Sequence, residues 1–463
     1  MSKNSYDVIV VGTGPTGIFT VLELLKKEAD LDILMLEKGK DISKRECPMK
    51  ENPGMGCLNC DSCSVVSGWG GAGAFSDGKL SLSPKIGGHM EEYIGLDRLK
   101  KLIKYTDQIY LDFGAPDRIF GGDNSKIDEI KTKAIKAQLK FIPAKLRHLG
   151  TGHTKTVLTN MKNYIESKGV DIKFKTNVTD FIIEDSKITG VKTAEGEIYK
   201  GENVTTAPGR ENASWLSSLA PELGIETSIN PVDIGVRVET SAVIAKELTE
   251  NLYESKLIYQ TPTFDDKVRT FCMSPYGEVV NENNQGLITV NGHSHADIKT
   301  ENTNFALLVS KTFTEPFHEP TTYGKNIAKL ANLLGGGVLV QRLGDLLDGH
   351  RSTPVRIDRG IIEPTLKEAT PGDLSLVFPY RHLKGIIEML EALDELAPGL
   401  YSRDTLLYGV EVKFYSNRID VNENMETKIE NLYTGGDGAG ITRGLMQASV
   451  SGVVIARDIL SEE

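Results

Sequence analysis

The sequence predicts an α/β fold: a Rossmann-like dinucleotide-binding domain, discontinuous along the chain, with an inserted mixed α+β substrate domain. Three observations carry this. Asp7-Val8-Ile9-Val10-Val11 reads as a buried strand and runs straight into Gly12-Thr13-Gly14-Pro15-Thr16-Gly17 and an apolar-periodic helix from Ile18 to about Lys27. A second strand, about Asp32 to Leu36, ends on the acidic Glu37. Near the other end, Leu432-Tyr433 leads into a second glycine-rich turn, Thr434-Gly435-Gly436-Asp437-Gly438-Ala439-Gly440, and a helix from Ile441 to about Asp458.

Strand, glycine turn, helix, strand and acidic residue follow in the order a dinucleotide-binding βαβ unit requires. Gly12 makes the tight turn, Gly14 lets the backbone approach a pyrophosphate, and Gly17 lets the helix pack close to the sheet. Pro15 and Thr16 lie within the turn, and the N-terminal N–H groups of the helix that follows face the phosphates. Glu37 is expected to accept the hydroxyls of a ribose and to repel a 2′-phosphate. That favours FAD or NAD.

The chain has 463 residues, 39% hydrophobic and 25% charged, enough for two or three domains. Its net charge of −11 and lack of a long basic stretch exclude nucleic acid as an expected partner. No apolar run reaches the ~18–20 residues that span a bilayer. The first strand begins by residue 6, which leaves no room for a signal peptide, so a cytoplasmic location is expected, with no membrane partner.

Residues 41–64 are rich in Cys, Pro, Gly and Asn and read as an ordered loop. Ser67-Gly68-Trp69-Gly70-Gly71-Ala72-Gly73-Ala74-Phe75-Ser76-Asp77-Gly78-Lys79 follows; its small residues imply close backbone approach to a flat or extended ligand, or a tight packing corner. Residues 91–112 and about 125–139 look helical, and Thr154 to Lys168 is a helix ended by Gly169. Strands are expected at Asp171 to Phe174, Val178 to Glu184, Ile188 to Thr193, Glu197 to Tyr199 and Asn203 to Ala207, with a hairpin turn at Glu195-Gly196 and a break at Pro208-Gly209-Arg210. Beyond about residue 218, Val232 to Glu239, Val268 to Met273 and Gly286 to Gly292 read as strands. Asn302 to Phe313 and Gly324 to Leu334 read as helices. The expected division is 1–90, 150–217 and 406–463 for the cofactor domain, 91–149 for a helical excursion, and 218–405 for the second domain.

Together these segments resemble the superfamily of FAD-dependent oxidoreductases with the two-domain, glutathione-reductase-like FAD fold. The resemblance implies that Gly436-Asp437 holds the ribityl chain and phosphate. It also implies that the following helix places Gly440, Ile441 and Thr442 beside the flavin, and that Ala207-Pro208-Gly209 matches the superfamily's alanine-threonine-glycine motif. The stretch 70–79, Thr270-Phe271-Cys272-Met273 and Asn291-Gly292 are similar to a bacterial group described as FAD-dependent dehydrogenases or NAD(P)/FAD-dependent oxidoreductases. Fold and cofactor follow from that resemblance; a substrate does not. The expected cofactor contacts are Gly12, Gly14, Pro15, Thr16, Gly17, Glu37, Lys38, Gly70, Gly71, Ala72, Gly73, Ser76, Asp77, Val178, Ala207, Pro208, Gly209 and the 436–442 residues just named. No second glycine fingerprint appears near residue 200. Electrons are therefore expected from NAD(P)H bound transiently over the flavin, or singly through a metal centre.

Such a centre has a candidate. Cys47, Cys57, Cys60 and Cys63 have spacing C-x9-C-x2-C-x2-C, and Pro48 follows Cys47. Four thiolates suit a [4Fe–4S] cluster, which a ferredoxin-like carrier would feed, or a structural zinc; a redox dithiol or free thiols are the alternatives. Candidate catalytic residues are Lys79, Cys272, His293, Arg381 and His382. Cys272 lines the flavin or is a buried apolar residue. His293 is a proton donor, a metal pair with His295, or a polar loop residue. Pro379-Tyr380-Arg381-His382 suits an anionic carbonyl compound, with surface ion pairing as the alternative reading; Arg342, Arg351 and Arg418 are further anion-binding candidates. Trp69 stacks near a ring or fills the core.

Overall fold

The computed structural model describes residues 3–461 apart from 27–29, 49–57, 59, 77, 123, 285, 295–298, 315 and 318. The chain divides into two compact units: 1–118 with 146–230 and 416–463, and 119–145 with 231–415. The changes at 230/231 and 415/416 come later than the expected edges at 217/218 and 405/406, and the expected helical excursion is shared between the units.

The first unit begins with β1 (Ser5–Val11), α1 (Pro15–Lys26) and β2 (Ile33–Glu37). Val8, Ile9 and Val10 are fully buried, as a parallel strand covered on both faces requires. Each such side chain contributes about 1.5–3 kcal/mol of transfer free energy. The sheet continues with β3 (Asp171–Phe174), β4 (Val178–Glu184), β5 (Lys187–Thr193) and β6 (Ile198–Thr206), and is completed by β7 (Leu432–Thr434). Its order is β3-β2-β1-β6-β5-β4, with β7 also on β6. The first half of β6 pairs antiparallel with β5, and its second half pairs in parallel with β7. Thus β6 is one continuous strand where two were expected. Gly201 lies at the junction, and a Cβ there would sit 2.8 Å from the Ile9 side chain.

The closing helix α2 (Leu445–Ile459) lies across α1. The crossing is tight: a Cβ on Gly452 would sit 2.2 Å from the Thr16 carbonyl oxygen. The helix begins at Leu445, after extended Gly444, and not at Ile441 as expected. Residues 441–444 are pinned outside the helix by main-chain bonds to residues 87–89: His89 N–H donates to the Ile441 carbonyl (2.9 Å) and Arg443 N–H to the Gly87 carbonyl (2.8 Å). The expected 91–112 helix is two, Met90–Ile94 and Leu96–Asp112, broken at Gly95 with φ +73°.

The second unit holds an eight-stranded sheet in the order 370–371, 339–342, 406–413, 232–241, 302–311, 267–274, 256–260, 140–142. Asn302–Lys311 is a strand of this sheet, against the helix expected there. It is paired along both edges, and residues 302–309 are buried whichever face they point to, so its run of apolar residues carries no alternation to mark it. Ser125–Lys136, Pro320–Gly335 and Tyr380–Leu396 are its principal helices, and Glu278–Asn284 with Leu287–His293 forms a separate hairpin.

Gly452→Ala is expected to destabilise the first unit by about 1–3 kcal/mol through overpacking. Denaturant unfolding followed by tryptophan fluorescence checks this, because Trp69 and Trp215, the chain's two tryptophans, both lie in that unit.

Candidate functional site

The glycine turn after β1 is built on main-chain contact. Gly12 has φ +97°, and a Cβ there would lie 2.2 Å from the Ala207 carbonyl oxygen; one on Gly17 would lie 2.1 Å from the Gly12 oxygen. Ala207 N–H donates to the Val11 carbonyl at 2.8 Å, so the end of β6 is held against the turn. A Cβ on Gly438 would sit 2.5 Å from the Gly209 oxygen and one on Gly436 2.6 Å from Thr16 Oγ1. The two glycine turns and Pro208-Gly209 therefore converge. Among the glycines of these turns, Gly14 and Gly209 look onto open space, with nothing within 4 Å of a built Cβ. Gly14 directly precedes Pro15 at the first position of α1, where N–H groups point out of the helix.

Glu37 is buried and fully engaged. Oε2 accepts from the Thr13 N–H (2.9 Å) and hydroxyl (2.7 Å), and Oε1 from the N–H groups of Gly39 (2.7 Å) and Gly68 (3.0 Å). The carboxylate fixes the glycine turn to the 67–75 stretch, rather than standing free to accept ribose hydroxyls as expected. Lys38 Nζ donates to Asn212 Oδ1 at 2.9 Å. Val178 is buried at the start of β4, two residues past Thr176, whose N–H reaches the Glu37 carbonyl.

The small-residue stretch packs onto the same turn. Gly70 N–H donates to the Thr13 carbonyl at 2.8 Å, and a Cβ on Gly71 would sit 3.2 Å from Gly14 Cα. Ala72 and Gly73 lie in the 3-10 turn Gly71–Phe75; a Cβ on Gly73 would meet Leu445 at 2.6 Å. Ser76 Oγ donates to the Gly73 carbonyl, Asp77 lies outside the described residues, and Lys79 begins the strand Lys79–Ser81. Trp69 is fully buried, its indole N–H on the Leu158 carbonyl at 2.8 Å, so it is a core residue. Arg45, which the sequence did not single out, is the organiser here. Its buried guanidinium donates to the carbonyls of Ser64, Val65, Trp69 and Gly71 at 2.6–3.0 Å. Burial pushes its pKa down to about 10.

At the closing turn, Asp437 Oδ1 accepts the Thr442 hydroxyl at 2.7 Å, and Gly440 abuts residues 416–418. Ile441 and Thr442 lie against 87–89, with Gly88 bridging Thr442. Beside them stand His89, Glu92 and Arg418: His89 Nδ1 is 2.7 Å from Glu92 Oε1, and Glu92 Oε2 pairs with Arg418. His89 and Glu92 were missed; an H-x-x-E spacing at a helix start was the available signal.

The cysteine loop lies partly outside the described residues, which exclude Cys57. Cys47 and Cys63 are half-buried and Cys60 is exposed. Among the described residues no three His, Cys, Asp or Glu side chains come together as a metal site.

The remaining candidates are in the second unit. Cys272, with φ +43° at a bulge, gives its carbonyl to Arg237 Nη2 at 2.7 Å. A Cβ on Gly292 would meet Arg237 at 2.1 Å, so two of the segments singled out by resemblance converge on this buried arginine and its ion pair with Glu411. His293 is exposed at the end of Leu287–His293; His295 lies outside the described residues. Arg381 forks onto Asp266 (2.5 and 2.7 Å), which also pairs with Lys311. Arg342 pairs with Asp404. His382 is 2% exposed, and neither ring nitrogen has a hydrogen-bond partner. Burial first, then the Lys311 charge, pushes its pKa down from 6.5 to about 4.

Comparison with known proteins adds the following. Residues 231–414, nearly the whole later stretch of the second unit, match a family model described as "FAD-dependent protein, C-terminal domain-like". An uncharacterized protein of Clostridium beijerinckii is 27% identical over 481 residues, covering 98% of this chain and 80% of its own length. Among solved structures, 3-ketosteroid-Δ4-(5α)-dehydrogenase of Rhodococcus jostii aligns with 99% of this chain and 97% of its own at 13% identity and a TM-score of 0.46. L-proline dehydrogenase of P. horikoshii aligns with 99% and 94% at 14% identity and 0.41. No helix among the described residues is long and apolar enough to cross a membrane.

As pH falls from 6.5 to 4 the unfolded chain takes up a His382 proton that the folded chain refuses, so stability falls through that window and this contribution is flat below it. The loss reaches about 3 kcal/mol. His382→Leu is expected to abolish this component. Denaturation midpoints by circular dichroism, taken at pH 7 and at pH 4, should show the variant gaining that amount on wild type in acid.

Proposed function

We propose that the first unit binds FAD and that the protein is an FAD-dependent oxidoreductase acting on a small organic substrate. The observation that carries this is the pair of open glycines, Gly14 and Gly209, in a cradle whose other glycines are closed off by neighbouring main chain or by the Thr16 and Ser451 side chains. A pyrophosphate at Gly14 meets the N-terminal N–H groups of α1 without a side chain in the way. The match of 231–414 to a family described as FAD-dependent supports the same cofactor. When bound, the flavin supplies hydride transfer. The chain's own work is to hold and orient it. The Glu37 carboxylate and the Arg45 guanidinium lock residues 64–71 to the turn, and Asp437, fixed by Thr442, would hold the ribityl chain. Lys38, Val178 and Ala207-Pro208-Gly209 border the adenine side in this reading.

A second reading concerns electron supply. The C-x9-C-x2-C-x2-C spacing favours a [4Fe–4S] cluster fed by a ferredoxin-like carrier over direct reduction by NAD(P)H; zinc would make the loop structural. Iron and zinc analysis of anaerobically purified protein decides it: about four irons per chain supports the cluster. Flavin without iron, reduced on mixing with NADH or NADPH, removes it.

Gly14→Val tests the cofactor. The added Cβ meets no protein atom within 4 Å beyond its chain neighbours, so the fold should stay intact, while FAD affinity drops at least about ten-fold, or ~1.4 kcal/mol. Fluorescence titration of reconstituted FAD measures this. Wild-type affinity in the variant, or no flavin binding by the wild type, ends the reading.

A further inference from the structure

The segment Thr270-Phe271-Cys272-Met273 has chemical surroundings of its own. Ile258 pairs with Arg269, Arg269 with Leu308, Leu308 with Gly235 and Gly235 with Glu411, while Asp233 pairs with Lys413. Side chains alternate along a strand, so Lys256, Arg269, Phe271, Asp233, Glu411 and Lys413 share one face of the second unit's sheet. The ladder shifts just after Phe271. There Arg237 Nη2 donates to the Cys272 carbonyl (2.7 Å) and the Ser274 hydroxyl (3.1 Å), which fixes the main chain that follows the ring.

Three cations share that ring. Lys256 Nζ and Arg269 Cζ each lie 4.7 Å from its centroid, and Lys413 Nζ lies 5.9 Å away. Like charges gathered round one ring repel, and the π face offsets part of that repulsion. Their acids lie deeper than they do. Arg269 pairs with Asp233 at 2.5 Å, Lys413 with Glu411 at 3.2 Å, and Lys256 with Glu254. The three acid side chains are 1%, 0% and 9% exposed, whereas those of Arg269, Lys413 and Lys256 are 19%, 14% and 15% exposed. Glu411 is shared with the buried Arg237, so three inner acids serve four cations. A fourth acid, Glu282, stands 3.7 Å from Lys413 on the separate hairpin and is 35% exposed. Burial opposes the Lys413 charge, yet Glu411 and Glu282 hold its pKa above the ordinary 10.5, so it is an ammonium at pH 7. Solvent therefore meets lysine and arginine side chains round a partly exposed aromatic ring, with the paired carboxylates underneath.

We propose that Lys256, Arg269, Lys413 and the Phe271 ring form an anion-binding subsite for the substrate, which is a small carboxylic acid with an apolar or aromatic body. The proposal rests on the flavin reading and adds a substrate class to it. The carboxylate accepts charge-assisted hydrogen bonds from the two lysines, and its body lies against Phe271. Arg269 Nη2 is already held by Asp233 and by the Tyr415 hydroxyl (3.0 Å), so this arginine contributes mainly its charge. An amine of the same shape is repelled, and an alcohol gains none of the charge-assisted bonds.

Isothermal titration calorimetry on the FAD-loaded full chain, at constant ionic strength, tests this. The probes are benzoate, phenylacetate and hexanoate, with benzyl alcohol and benzylamine as uncharged and cationic counterparts. At least one carboxylate should bind about ten-fold or more tightly than either counterpart. Lys256→Met and Lys413→Met should each weaken that binding about ten-fold, and Lys256→Arg, which keeps the charge, should stay within about three-fold of wild type. Phe271→Leu should weaken the aromatic acids more than hexanoate. No binding of any carboxylate, equal binding of the alcohol, wild-type affinity in both methionine variants, or a Lys256→Met loss that Lys256→Arg fails to rescue overturns the proposal. The titration is repeated on chain without FAD. Failure of the wild type to bind FAD sinks the flavin reading, and the carboxylate titration, which reads residues of the second unit alone, still judges the subsite.

Discussion

The first unit depends on main-chain segments lying closer together than a side chain allows. Gly12 against Ala207, Gly17 against Gly12, Gly438 against Gly209, Gly39 against Gly68 and Gly452 against Thr16 are all contacts in which a Cβ would fall within 2.6 Å of a main-chain atom. All but Gly17 against Gly12 bring together parts of the chain that are remote in sequence. Glycine gives up more conformational entropy on folding than any other residue. The sheet and the α1–α2 crossing offset that cost with dense apolar packing. What results is a rigid turn in which the few open main-chain positions are fixed in place before any ligand arrives.

Two buried charges complete that rigidity without facing one another as an ion pair. Glu37 gathers four N–H and O–H donors, and Arg45 gathers four carbonyls. Each charge is satisfied by dipoles of the polypeptide itself, which is how an ionised group survives burial. Both sets include the 68–71 segment, so the stretch that reads as ligand-facing is held from one side by an anion and from the other by a cation. The sequence hints at Glu37 by its position after a strand. It offers nothing for Arg45, an ordinary basic residue in a loop whose carbonyl partners are 19 to 26 residues away.

Local signals explain what was legible. The βαβ opening, the β5–β6 hairpin with Gly196 at φ +85°, and the discontinuous first unit were readable because glycine turns and short periodic runs are local. The strand 302–311 was not, since a run buried on both faces shows no period. The start of α2 was displaced because main-chain bonds to 87–89, unknowable from residue types, hold 441–444 out of the helix. At the site, single glycines could be placed, but not which of them are filled by protein and which look onto open space. Tyr380-Arg381-His382 looked like one reactive fragment; the helix points Arg381 to Asp266 and sends His382 into the core.

The first unit's sheet is closed by β7, whose residues 432–434 come more than two hundred positions after its partner β6. A ribosome releasing this chain therefore emits the opening βαβ unit, then β6, then residues 231–415 of the second unit, before the strand and glycine turn that finish the first. Until the last thirty or so residues emerge, Gly12 and Gly209 lack the turn at 435–440 that completes their cradle. The cradle is thus completed only at the end of synthesis, and a nascent or C-terminally clipped chain is left without its closing turn.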